Sequence, residues 1–217
     1  MNYEIKNSFI KAKIKSFGAE LNSLQKIEND FEYIWQADKQ YWARHSPVLF
    51  PIVGRLKDDN YIYKSKKYNL SQHGFARDKD FELVKKDEDF IEFSLKNDEE
   101  TLKNYLFLFE LNISYKLEKT KLIISYKVKN RSEDRLYFSI GAHPAFNISS
   151  GDFLDFEDVR TSKRYFLNDK GLIYKNQEVS FTKNSLILDE EIFKNDALVF
   201  NDNNIKSIIL RDKNNNK

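Results

Sequence analysis

No cysteine occurs anywhere in the 217 residues, which removes disulfides, thiolate nucleophiles and thiolate metal sites together and is compatible with a reducing compartment. An excess of charge of either sign is missing too. The 36 Lys and Arg residues face 34 Asp and Glu, a formal net of +2, and the two signs interleave instead of forming basic blocks. Nucleic-acid binding therefore has little electrostatic support. No apolar run approaches the ~20 residues of a membrane span. The start, MNYEIKNSFIKAKIKSFGAE, alternates apolar residues with lysines and has no continuous apolar segment of the kind a secretion signal carries. These absences lead to the expectation of a cytoplasmic enzyme or binding protein with no nucleic-acid and no membrane partner. Oligomeric state is left open.

Glycine and proline are scarce, with six and three residues, and no Pro/Gly/Ser-rich linker divides the chain, so a single domain over residues 1–217 is expected. Phosphate-binding glycine loops of the P-loop and dinucleotide kinds are absent, as is the GxSxG of serine hydrolases. The three histidines, His45, His73 and His143, show neither HxH nor HExxH spacing, so the expectation for metals and cofactors is none.

What the sequence has in quantity is aromatic and alternating. Aromatics make up 15% and apolar residues 41% of the chain, a composition that can bury a core and leans towards β structure. In FELNISYKLEKTKLIISYKVKN, Phe109, Leu111, Ile113, Tyr115 and Leu117 share one face, with Glu110, Asn112 and Ser114 on the other. After the turn at Lys119 and Thr120 the pattern resumes with Leu122, Ile124, Tyr126 and Val128. This predicts a long antiparallel hairpin with one wet face. Shorter signals fall at Ile10, Ala12 and Ile14; at Phe31, Tyr33 and Trp35; at Tyr61 and Tyr63; and at Ile91, Phe93 and Leu95. Only NDEETLKNYLF has helical spacing, with Asn97 as its expected cap. The fold class is mainly β, built of antiparallel sheets with at most one or two short helices. A strand through Ile208 and Leu210 close to the C-terminus needs either a partner elsewhere in the sheet or further chain to cover its edge.

Four stretches could carry chemistry: WARHSPVLFPIVGRL, LSQHGFARD, GAHPAF and FKNDALVF. His73 and His143 stand next to small residues at strand ends, and imidazole titrates nearest neutrality, so each is a candidate general acid or hydrogen-bond donor as well as a candidate structural histidine. His45, between Arg44 and Ser46 and two residues before Pro47, reads as structural. Arg55, directly after Gly54, could clamp substrate oxygens or pair with Asp58 or Asp59. Asp196 could accept hydrogen bonds from sugar hydroxyls or could end a turn. Trp35, Trp42, Phe75 and Phe146 could stack on a sugar ring or belong to the core, with Phe75 and Phe146 favoured by lying near histidines in the chain.

Taken together, SPVLFPIVGRLKDDNY, YNLSQHGFARDKDF, SIGAHPAFN and FKNDALVF resemble the aldose 1-epimerase (galactose mutarotase) family, in its branch of LacX-like and hexose-phosphate epimerase-like proteins. The resemblance runs from the first strand pattern to about residue 211. It implies a large antiparallel β-sandwich, the galactose mutarotase-like supersandwich, with an open cleft for a hexose or hexose phosphate. It further implies that His143 protonates the sugar ring oxygen, that His73 hydrogen-bonds the sugar near the same atom, and that Arg55 and Asp196 hold hydroxyls. The reaction implied is interconversion of α and β anomers without metal or cofactor. In the family the base is a glutamate in a segment that follows the strand resembling IKSIILRD. The sequence ends there, so the expectation is a domain lacking its C-terminal strands. Glu190 and Glu191 precede the Asp196 motif and do not match the base position. A non-catalytic carbohydrate-binding or sensing protein using the same cleft is the alternative.

Overall fold

A computed structural model describes residues 1–156, 159, 161–181, 185–192, 194, 197–200 and 205–214. The chain forms two compact units, Met1–Asn147 and Ile148–Lys217. In the first unit the strands are β1 (Asn2–Lys6), β2 (Ile10–Lys15), β3 (Glu20–Lys26), β4 (Val48–Leu49), β5 (Asn60–Tyr63), β6 (Lys66–Asn69), β7 (Glu82–Lys86), β8 (Phe90–Lys96), β9 (Phe109–Glu118), β10 (Lys121–Asn130) and β11 (Gly141–Ala142), with helix α1 (Glu99–Asn104). The second unit holds β12 (Phe153–Asp155), β13 (Thr161–Leu167), β14 (Ile173–Ser180), β15 (Ser185–Ile187), β16 (Val199–Phe200) and β17 (Ile209–Arg211). The chain is therefore mainly β, as the alternation predicts.

The first unit rests on two antiparallel sheets, ordered β1-β2-β3 and β10-β9-β8-β7. In β2 the residues Ile10, Ala12 and Ile14 are buried, with lysines between them on the other side. The hairpin β9–β10 has the expected register, with Leu117 opposite Leu122, Ile113 opposite Tyr126 and Leu111 opposite Val128. Its turn is made by Lys119 at φ 55°. The fully buried Ile5, Ile14, Phe93, Phe109, Leu111 and Ile113 come from both sheets and join one core, to which Ile34 adds from the loop after β3. Each such side chain is worth roughly 1.5–3 kcal/mol of burial. Phe50 lies inside this core, with Phe109, Phe138, Tyr105 and Phe75 around it at centroid distances of 5.0, 5.9, 6.1 and 6.4 Å.

Three local expectations need correction. The polar face of β9 is not wet along its length, because Glu110 and Asn112 are buried. Glu110 pairs with Lys129 at 2.6 Å and also with Arg131, and these cations hold its carboxyl down at about 2. Asn112 accepts from the Ser94 hydroxyl at 2.9 Å. The cap of α1 is Asp98, whose carboxylate accepts the Thr101 N–H at 2.6 Å while the Thr101 hydroxyl accepts the Asp98 N–H at 2.9 Å. Asn97 instead accepts the N–H of Phe109 at 3.0 Å. Residues 31–35 form only isolated bridges, and the buried side chain there is Ile34, not Phe31, which is 52% exposed. Glu32 explains the shift, since its carboxylate accepts from the N–H groups of Leu24 and Ile34 at 2.9 Å each and fixes a local loop.

In the second unit the described strands form two small antiparallel sheets, β15-β12-β17 and β14-β13-β16. Of the strand expected through Ile208 and Leu210, β17 forms from Ile209 and pairs with β12 through Leu210 opposite Leu154, while Ile208 lies outside it and is 53% exposed.

Candidate active site

His143 is delivered by a short ladder between residues 45–51 and 139–145. Gly141 and Ala142 pair with Leu49 and Val48, and the N–H groups of His143 and Ala145 donate to the carbonyls of Pro47 and His45 at 3.0 and 2.9 Å. The ladder ends where the Ser139 N–H reaches the Pro51 carbonyl at 2.9 Å. On the other edge of this strand, Trp35 N–H donates to Ala145 O, and the Trp35 indole N–H donates to Trp42 O, both at 2.9 Å. These bonds fix the backbone at Trp42, and the Trp42 ring stands edge-on to the exposed His143 imidazole, with centroids 5.5 Å apart.

His73 comes from the second loop, and its glycine neighbour has a specific cause. His73 and Gly74 both occupy the left-handed region, at φ 67° and 68°. A Cβ at Gly74 would stand 2.3 Å from the Phe50 carbonyl oxygen, the same oxygen that accepts the N–H groups of Phe75 and Ala76 at 3.0 and 3.1 Å. Only glycine allows the loop to fold this tightly over Phe50. His73 is then held twice by Gly54. Its backbone N–H donates to Gly54 O at 2.9 Å, and its ring Nδ1 accepts the Gly54 N–H at 3.1 Å. An Nδ1 that accepts must carry the lone pair, so the neutral ring has its proton on Nε2. Burial lowers the pKa of His73, and the nearby Arg77 and His143 lower it further. The result is a neutral imidazole presenting an Nε2–H donor, with its ring centroid 5.8 Å from that of His143.

The Arg and Asp that follow in LSQHGFARD clamp the two loops. Arg77 donates to Gln72 O at 3.0 Å, closing the loop on itself. Asp78 accepts from Arg44 at 2.8 Å, tying this loop to the segment that carries Trp42 and His45.

The other candidates are placed as follows. Arg55 is exposed next to Gly54, and its guanidinium forks onto Asp59 with N···O distances of 2.7 and 2.6 Å. Phe75 is half-buried, with its ring packed on Phe50, Tyr105 and Phe109. Phe146 is 48% exposed and bridges to Ile34. His45 has its pKa lowered by burial, and its backbone belongs to the ladder. Asp196 lies outside the described residues, so the structure brings together His73 and His143 and leaves Asp196 unplaced. Trp42, one of the four aromatics that could stack on a sugar, is the one whose ring meets His143, a pairing the sequence does not show. It is distant from His143 in the chain, and only the ladder brings the rings together. Among the described residues no cluster of three or more His, Cys, Asp or Glu side chains is arranged to hold a metal ion.

A family model described as aldose 1-epimerase matches residues 1–216. The plasmid-encoded protein LacX of Lactococcus lactis is 33% identical over 235 aligned positions that cover all of this chain and 78% of LacX. Among solved structures, a galactose mutarotase-like protein from Lactobacillus casei superposes with a TM-score of 0.92 at 30% identity, covering 100% of this chain and 77% of that one. A galactose mutarotase related enzyme from Lactobacillus acidophilus superposes with a TM-score of 0.88 at 39% identity, covering 92% and 69%. The mainly β antiparallel architecture is the one these neighbours share. With the motif-bearing loops, the family match over residues 1–216 and the LacX similarity in view, the chain belongs to the aldose 1-epimerase family, in its LacX-like branch.

Proposed function

We propose that the chain binds a hexose, free or phosphorylated, against the Trp42, His73 and His143 rings and interconverts its anomers by acid-assisted ring opening. The observation that carries this reading is the His73–His143 pair, in which one imidazole is held neutral with a defined donor and the other is exposed beside it. Keeping His73 neutral leaves the pair free of charge repulsion when His143 carries a proton.

In this mechanism His143 gives a proton to the ring oxygen while a base takes the proton of the anomeric hydroxyl. The C1–O5 bond breaks, the aldehyde forms, and rotation about C1–C2 followed by closure yields the other anomer. His73 Nε2–H hydrogen-bonds the ring-oxygen region and steadies the sugar as charge shifts there. Positioned proton transfer of this kind contributes ~10²–10⁴-fold per group. Arg55, steered by Asp59, holds hydroxyls. Phe75 supports the His73 loop through its packing. A second reading is sugar binding without catalysis, in the same cleft.

Calorimetric titration with glucose, galactose and their 6-phosphates, combined with exchange NMR of the anomeric protons, separates the two. Binding together with anomer exchange above the buffer rate supports the isomerase. Binding without added exchange supports the sensor, and no binding of any of the four sugars overturns both.

A further inference from the structure

Outside the histidine pair, the side chain with the most unexplained chemistry is Glu20. Its carboxylate is 3% exposed, and an ionised carboxylate so placed is costly unless fully partnered. Two of its three partners lie on one segment. Oε1 accepts the N–H groups of both His45 and Ser46 at 2.9 Å, and Oε2 meets Lys15 Nζ at 2.5 Å. That same segment supplies the carbonyls on which the His143 strand hangs, through Ala145 N–H to His45 O and His143 N–H to Pro47 O.

Glu20 also ends a turn that braces the other histidine loop. Gly18, at φ 74°, donates its N–H to Lys79 O at 2.8 Å, and a Cβ there would stand 2.9 Å from Arg77 O. Ala19 O accepts the hydroxyl of the buried Tyr115 at 2.6 Å, fixing the turn to β9. Residues 16–20 therefore hold one loop by backbone contact and the other by a buried carboxylate.

We propose that Glu20 is a positioning residue for His143. By accepting two adjacent backbone N–H groups it sets the height of the segment 45–49 that leads into β4, and through the ladder it places the His143 ring against Trp42 and opposite His73. Its catalytic consequence rests on the sugar-site reading above, whereas the placement itself is a property of the free protein. A mere core carboxylate would affect melting and leave the His143 environment intact. A positioning carboxylate moves that environment in a protein that still folds.

The test compares wild type with Glu20→Gln, Glu20→Asp and Glu20→Leu. The first readout is the NMR signal of the His143 Cε1–H, displaced by the ring current of Trp42 at 5.5 Å. Glu20→Gln retains an Oε1 that can accept both N–H groups, and should leave the signal in place. Glu20→Asp, one methylene short, and Glu20→Leu, with no acceptor, should move it towards that of a free imidazole while melting stays cooperative. The second readout is anomer exchange. A displaced acid should cost kcat ~10-fold or more with KM within about threefold, and Gln should rescue it. Should Glu20→Leu fail to fold, Glu20→Asp decides. An unmoved His143 signal in a folded Asp or Leu variant overturns the proposal, as does a Gln variant displaced as far as Leu. If wild type itself adds nothing to anomer exchange, the isomerase reading fails while the His143 signal still decides the placement.

Discussion

Gly54 and Gly74 form a matched pair for separating backbone strain from steric overlap, because both have positive φ, 79° and 68°, and both contact His73 or adjoin it. A Cβ at Gly54 meets nothing within 4 Å, so Gly54→Ala carries only the left-handed penalty, about 1–2 kcal/mol. At Gly74 the same penalty applies, and in addition the 2.3 Å approach to Phe50 O must open to at least 3.0 Å, a retreat of 3.0 − 2.3 = 0.7 Å. Phe50 is fully buried, and its carbonyl accepts two N–H groups, so the retreat weakens two hydrogen bonds worth about 0.5–1.5 kcal/mol each. Gly74→Ala should therefore cost about 2–5 kcal/mol in all, or ~4–20 °C in Tm at ~2–4 °C per kcal/mol. Gly54→Ala should lose only about 2–8 °C by the same conversion. Differential scanning calorimetry of the two variants checks this. Equal losses would refute the claim that the glycine after His73 is required by its approach to Phe50.

Acid titration gives two further outcomes. His73 and His45 have lowered pKa values in the fold, so below pH ~6.5 the unfolded chain binds more protons than the native one, and stability falls as pH drops through that window. Sugar affinity should hold from pH 8 to ~6.5 and then decline as His73 protonates and loses the Gly54 N–H bond, which calorimetry at stepped pH would detect. Glu110, held at about 2 by Lys129 and Arg131, contributes stability that is present above its ordinary carboxylate range and is lost as pH falls from there towards 2. Urea midpoints between pH 7 and pH 3 should drop more steeply for wild type than for Glu110→Gln, and parallel slopes would contradict the assignment. Asp98→Ala should cost about 1 kcal/mol by removing the cap of α1, read as a urea-midpoint shift, and no loss would return the capping role to another residue.

The sequence was most legible where period-two alternation met a single buried face. β2, β8 and the apolar face of the β9–β10 hairpin could be read from the sequence, because their apolar positions point into one core. It was less legible where polar side chains bond backbone locally. Glu32 turned the stretch around Tyr33 into bridges, and Asp98 displaced Asn97 as the helix cap, through hydrogen bonds that hydrophobicity does not encode. The site divides along the same line. His73 and Gly74 announce a constrained loop in the sequence itself, since a histidine before a glycine between strands needs a reason. The approach of Trp42 to His143, and the grip of Glu20 on residues 45 and 46, depend on pairings between distant segments and leave no local trace.

The central claim is that His143 acts as the proton donor in anomer interconversion, and polarimetry tests it most directly. Freshly dissolved α-D-glucose and α-D-galactose would be followed to equilibrium in buffer alone, with wild type, and with His143→Asn, whose folding is confirmed by an unchanged melting profile. Acceleration by wild type that His143→Asn reduces by ~10²-fold or more is the predicted result. Equal acceleration by both proteins would contradict the assignment of His143, and decay at the buffer rate with wild type would contradict catalysis by this chain.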